Sequence, residues 1–260
     1  MGIEHILQNL DASELNIGYT PLIPAGLEYL NFFGGSAPMG RNLAPGKPQA
    51  TVVGAPSVGS MAEGIRTRSM QDFIQTAVAH VNAMTIMAIA KADVEGEHFL
   101  VSNYTSSPGP NSNGMNATLR VRTDSSIAGS NRVNANSISS YKMAAGGNNV
   151  WGASSSPYDI GKFRSLAMRF DMTAVTGRTS LNDLTGGLLY TNSQGRPADS
   201  TPNIGDNFRI GSPTGKFNDD MKSPSILFVA MWSRVLSDAE LATQYAMLKD
   251  FYATAKGVSV

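Results

Sequence analysis

The chain contains no cysteine. That absence excludes a disulfide framework and any thiolate metal site. Charge is scarce as well: 15% of residues are Asp, Glu, Lys or Arg, and the formal net charge is zero. Affinity for nucleic acid comes from clustered Lys and Arg that release counterions. The nearest candidates, Arg66 with Arg68 and Arg120 with Arg122, are pairs that share one strand face. The alternation of an antiparallel sheet assigns both pairs to a solvated outer face. Long apolar runs are missing, and no stretch approaches the roughly 20 residues a membrane helix needs. The opening residues carry Glu4 and no basic start, so they do not read as a secretory signal. A protein made in a cytoplasm, with no nucleic-acid partner and no membrane insertion, is expected.

Catalytic signatures are also missing. There is no G-x-S-x-G elbow, phosphate-binding loop, dinucleotide fingerprint or H-E-x-x-H. His5, His80 and His98 are scattered and lack acidic partners at ligand spacing, so they read as structural or exposed. Asn103 and Asn116 open glycosylation-type triplets, read here as plain loop and strand residues.

What the chain has in quantity is strand and turn signal. Leu119 and Val121 alternate with Arg120 and Arg122, and Leu166, Met168 and Phe170 with Ala167 and Arg169. Turn clusters such as Ser106–Gly114 and Ala144–Asn149 separate such runs. Short strands punctuated by Gly, Asn, Ser and Pro specify a sandwich or barrel. A chain of 260 residues can bury about 70–75% of its unfolded surface without staples. The stretch Met70–Val81 is ambiguous between helix and strand.

The last quarter is the most specific part. Ile226–Trp232 is a nearly continuous apolar run, expected of a strand buried on both faces. Ser237 and Glu240 then form a capping box. Leu241, Tyr245, Leu248 and Tyr252 follow on one helical face, predicting a helix from near Asp238. This ending, with Arg234–Leu241 reading R-V-L-S-D-A-E-L, resembles the C-terminal signature of laminin-G-like domains, which have a concanavalin A-like jelly-roll fold. Upstream, Leu27–Phe33, Ala50–Pro56, Met84–Asp93, Ser165–Met172 and Gly186–Ala198 are similar to the family's successive strands and its L-Y-x-N-G hairpin. The Trp and His usual on the Ser165–Met172 strand are missing, and Asn192 and Gly195 stand apart where the family has them adjacent. The resemblance spans roughly residues 24–255. It implies an all-β, two-sheet antiparallel jelly roll over 24–260.

Residues 1–23 read as a separate docking arm. Ile3, Ile6, Leu7 and Leu10 form one stripe of a short helix, too short to be stable alone in water. Pro21 and Pro24 then favour an extended connection.

Three chemistries remain to be weighed. Many relatives of this jelly roll are glycanases, whose reaction needs two carboxylates flanking the glycosidic bond. The nearest pair is Glu95 and Glu97 beside His98, which Gly96 marks as a turn between strands. Laminin-G-like domains often bind calcium, and Phe217–Asp220 offers two acids where calcium takes six to eight oxygens. Glycan binding needs an aromatic platform with polar neighbours. Trp151 with Asn149, Tyr158 and Tyr104 are the candidates, against a core role for Trp151; Trp232 is assigned to the core. The resemblance to adhesion domains, the missing signal and the docking stripe together imply a non-enzymatic virion structural protein. A bacteriophage tail, fibre or capsid-decorating component is expected, homo-oligomeric, contacting other virion subunits and host-surface glycans. The alternatives are a lectin module and a divergent glycoside hydrolase using Glu95 and Glu97.

Overall fold

A computed structural model describes residues 19–109, 112–114, 117–123, 131–173, 178–192, 196–215 and 222–260. The assembly stripe Ile3, Ile6, Leu7 and Leu10 and the acidic Phe217–Asp220 turn lie outside the described residues. Among the described residues, strands form two large antiparallel sheets and a two-stranded one, Thr105–Gly109 with Ser112–Gly114, with one C-terminal helix: the all-β jelly-roll-like sandwich expected from the sequence.

The apolar run became the centre of the first sheet. Pro224–Trp232 pairs with Ala83–Ala92 on one side and with Leu27–Phe32 and Ile65–Arg66 on the other. Beyond Ala83–Ala92 come Arg164–Asp171, Arg178–Asp183 and the edge strand Leu188–Thr191. The second sheet runs Asn148–Ser154, Arg132–Met143, Ala117–Thr123, Glu97–Ser102, Arg209–Ile210, Phe73–Gln75, Thr51–Val53. Tyr158–Asp159 and Ser200–Pro202 also pair with Arg132–Met143.

Two hydrophobic clusters explain why the first sheet is apolar on both faces. Met84, Ile86, Leu166, Met168 and Phe170 point between the sheets, where they meet Leu119, Val121 and Val133. Met87, Ile89, Ala230 and Trp232 point to the opposite side, against Leu241, Leu248 and Tyr252 of the helix. A β-bulge in Pro224–Trp232 sets the phase, because Ile226 and Phe228 oppose the neighbouring residues Ala90 and Ile89 and leave Leu227 as the extra residue. Ile226 therefore faces the inter-sheet core, while Leu227 and Phe228 both face the helix side. The Leu227 carbonyl accepts from Phe33 N–H at 2.8 Å and from the Tyr252 hydroxyl at 2.8 Å. Gly64 lies against this strand with φ +74°, and a Cβ there would overlap the Ile226 carbonyl oxygen. Only glycine meets both demands.

The helix spans Asp238–Asp250, and a π-helical turn continues it through Phe251–Ala255. The capping box is formed: Ser237 Oγ accepts from Glu240 N–H at 3.2 Å, and Glu240 Oε2 accepts from Ser237 N–H at 2.8 Å. Arg234 donates to the same carboxylate at 2.5 Å, and this hydrogen bond, with those of Ser237, holds the Glu240 pKa down at about 2. Ser237→Ala is expected to lower the unfolding free energy by about 1 kcal/mol. An unchanged urea midpoint would show that the box carries no stability. Ahead of the helix, Thr85 Oγ1 donates to the Arg234 carbonyl at 2.9 Å and accepts from Leu236 N–H at 2.8 Å. Arg169 reaches the Leu236 carbonyl at 3.1 Å and Asp238 at 2.7 Å. The helix is thus fastened to two strands of the sheet it covers.

Local details bear on the remaining expectations. Met70–Val81, open between helix and strand in the sequence, contains one three-residue strand, Phe73–Gln75, paired with strands on both sides. Tyr19 packs edge-on to Phe32 at 5.2 Å, and Ile23 is buried. Within Gly186–Ala198, Leu188–Thr191 pairs with Arg178–Asp183 across a turn at Leu184–Gly187, and residues 193–195 lie outside the described residues. Arg120 and Arg122 share a face, but only Arg122 is solvated. Arg120 is 6% exposed beside the buried rings of Phe99 and Tyr104 and is ion-paired to Glu97.

Candidate functional site: two polar clefts on the sandwich

The residues expected to form an aromatic platform are interior. Trp151 is 2% exposed and lies 4.5 Å from the Tyr141 ring in the inter-sheet core. Its position on Asn148–Ser154 opposite Ser139 turns it inward, and an edge strand of this sheet needs a large residue there to fill the sandwich. Tyr104 is buried and stacks on Phe99 at 6.0 Å. Tyr158 is also buried, beneath the Arg164 guanidinium at 4.7 Å. Asn149 pairs with Tyr141 across the strands. These positions do not converge, and their rings offer no exposed stacking surface. Asn148–Ser154 is a strand despite its Asn and Gly content. Trp232 is fully buried, as expected.

Glu95 and Glu97 flank a bend at Gly96, between Ala83–Ala92 and Glu97–Ser102, as the turn reading required. The Glu97 carboxylate is held by Arg120. Neither glutamate lines either cleft described below. His98 is buried, and its Nε2 contacts the Val94 carbonyl at 2.9 Å. Asn103 is a structural residue: its amide nitrogen donates to the Asp206 carbonyl at 2.9 Å, and its oxygen accepts from Ala117 N–H at 2.8 Å.

The first cleft, of about 510 Å³, is lined by Gln75, Asp206, Asn207, Arg209 and Thr214. Arg209 and Gln75 face one another on paired strands, and Arg209 Nε donates to Gln75 Oε1 at 2.8 Å. The guanidinium lies over the Phe73 ring at 4.5 Å and donates to the Pro213 carbonyl at 3.0 Å. Burial lowers its pKa, and the Asp206 carboxylate acts in the opposite direction. Asp206 and Asn207 stand exposed at the rim.

His80 holds this rim from below. Its Nδ1 accepts from Gly205 N–H at 3.0 Å, a bond that only an unprotonated Nδ1 can make. The Asn103 amide nitrogen lies 3.0 Å from the same atom, so it too donates. The ring sits 5.5 Å from both Phe170 and Phe208. Burial lowers its pKa to about 4. Sequence spacing gave no sign of this role, since His80, Asn103 and Gly205 are far apart in the chain.

The second cleft, of about 430 Å³, opens beside Tyr158–Asp159 and the start of Arg164–Asp171. Arg132, Lys162 and Arg164 line it with the single carboxylate of Asp159. Phe163 supplies a half-buried ring, with Lys91 Nζ 5.1 Å from its centre. Burial, reinforced by Asp183, raises the Tyr158 phenol pKa, while Arg164 acts against them. Among the described residues, no group of three or more His, Asp or Glu could hold a metal ion. No helix among them is long and apolar enough to cross a membrane.

No protein-family model matches the chain, and no curated protein matches it in sequence. Solved structures do match in fold. The receptor-binding domain of botulinum neurotoxin type G aligns with a TM-score of 0.53 at 13% identity, over 87% of this chain and 52% of that one. The binding domain of serotype D aligns with a TM-score of 0.55 at 10% identity, over 86% and 52%. The binding domain of neurotoxin DC, solved in complex with SialylT, gives 0.55 at 9% identity, over 87% and 52%. The chain spans about half the length of these neighbours, and at such identities the likeness is one of fold: the chain is similar to part of the receptor-binding domains of botulinum neurotoxins.

Proposed function

We propose that the chain is a non-catalytic saccharide-binding module, and that the Gln75–Arg209 cleft is its contact surface. The observation that carries this reading is the set of groups at that rim. A sugar hydroxyl both donates and accepts, so a saccharide site needs both kinds of partner. The Asp206 carboxylate accepts, the Arg209 guanidinium donates, and the Asn207 amide does both. They sit on and beside paired strands, and His80 fixes the loop that carries two of them. One neighbour is a receptor-binding domain and another binding domain was solved in complex with SialylT, which supports the class of ligand. A glycan array probed with the labelled chain tests it. Asp206→Ala and Asn207→Ala are each expected to weaken the retained glycan at least tenfold, about 1.4 kcal/mol. An array on which nothing is retained would remove the reading.

The setting proposed for this module is a virus particle, as a tail, fibre or decorating subunit. The Ile3, Ile6, Leu7 and Leu10 stripe supports it. So does the strand Leu188–Thr191 at the edge of the sheet among the described residues, whose Leu188 and Leu189 are 49% and 52% exposed. Exposed apolar edges invite pairing with another chain. Deleting residues 1–12 is expected to leave the melting temperature of the sandwich nearly unchanged and to prevent incorporation into the assembly. A truncated chain that still assembles would refute the anchoring role.

A further inference from the structure

We propose that the second cleft binds the anionic group of an acidic saccharide, a carboxylate or a sulfate ester, independently of the Gln75–Arg209 rim. The saccharide reading above supplies only the body of the ligand; the charge selection rests on the cleft itself. Its charged side chains are donors except for the Asp159 carboxylate. Arg132, Lys162 and Arg164 have no acceptor capacity. Thr185 Oγ1 already accepts from Ser165 N–H at 2.8 Å, which leaves its hydrogen to give. The Tyr158 ring closes the floor of the cleft beneath the Arg164 guanidinium at 4.7 Å, with its hydroxyl buried out of a ligand's reach.

The charge balance narrows the ligand. Arg164 is neutralised by Asp183 at 3.2 Å, which is itself buried. Arg132 Nε is 4.0 Å from Asp159, and another of its nitrogens donates to the Pro157 carbonyl at 2.6 Å. Lys162 is exposed and makes no ion pair among the described residues. One uncompensated positive charge therefore faces the cleft, matching a monoanion better than a phosphate dianion. The half-buried Phe163 ring on the wall gives a sugar ring an apolar face to lie against.

Calorimetric titration of the full chain with lactose, 3′-sialyllactose, lactose 3′-sulfate and sodium sulfate tests this. At least one of the two acidic sugars is expected to bind tenfold or more tightly than lactose, and to weaken as salt rises. The comparison between them separates carboxylate from sulfate recognition. Lys162→Glu should cost at least tenfold for the acidic sugar. Equal affinity for lactose and the acidic sugars would overturn the inference and leave the neutral rim standing. Indifference to Lys162→Glu would overturn it too. Sodium sulfate binding as tightly as the sugars would reduce the cleft to a simple anion site and refute the saccharide ligand.

Discussion

Trp232→Ala is expected to lower the unfolding free energy by about 3–5 kcal/mol, the range for truncating a large buried aromatic residue. Trp232 is fully buried at the end of the central strand, on the side the helix covers. Its indole N–H donates to the Ile23 carbonyl at 2.9 Å. Truncation would open a cavity between sheet and helix and also release the segment that leads into Leu27–Phe32. Trp232→Phe should cost less, since it keeps most of the packing and loses the hydrogen bond. Guanidinium unfolding at neutral pH, followed by circular dichroism, measures both. A shift under 1 kcal/mol for the alanine variant would mean that the helix side of the sheet contributes little to stability.

Acidification should destabilise the protein through His80. The folded pKa of about 4 lies below the ordinary histidine value of 6.5. Burial is the first cause, and the two donors facing Nδ1 leave an added proton with no acceptor. The sign follows from linkage. Above pH 6.5 His80 is neutral in both states, and its full contribution is present. As pH falls from 6.5 towards 4, the unfolded chain takes up a proton that the folded chain refuses. The unfolding free energy should then drop by roughly 3 kcal/mol across that window. His80→Gln removes the titration and keeps an acceptor for Gly205 N–H. Chemical unfolding at a series of pH values should give a shallower slope for this variant between pH 6.5 and 4. Parallel curves for the two proteins would show that His80 does not control the acid limb. Because His80 holds Gly205 only while Nδ1 is unprotonated, saccharide binding at the Asp206–Arg209 rim should fade only as pH nears 4, where the folded protein takes up the proton, if that rim is the binding surface.

The parts of the structure legible in the sequence were those governed by local periodicity. The Ser237–Glu240 cap, the face of Leu241, Leu248 and Tyr252, and the doubly buried Ile226–Trp232 strand each follow from spacing alone. They form as read because each pattern is satisfied by neighbours close in the chain, or by burial on every side. A bend at Gly96 and an all-antiparallel sandwich were legible for the same reason. Exposure was decided only by tertiary packing. Trp151 and Tyr158 sit in polar-looking sequence, yet the inter-sheet gap needed their volume and drew them inward. Arg120 stands on an outer face that the Phe99–Tyr104 pair shields, and only the fold brings Glu97 to it. The clefts are assembled the same way: Gln75 meets Arg209 across a strand pairing, and Arg132 lines a common cleft with Lys162 and Arg164, with no fixed spacing in the chain. Local sequence sets which face of a strand is apolar. Which of those faces meets water depends on what the rest of the chain lays over it, and that is settled only when the whole sandwich closes.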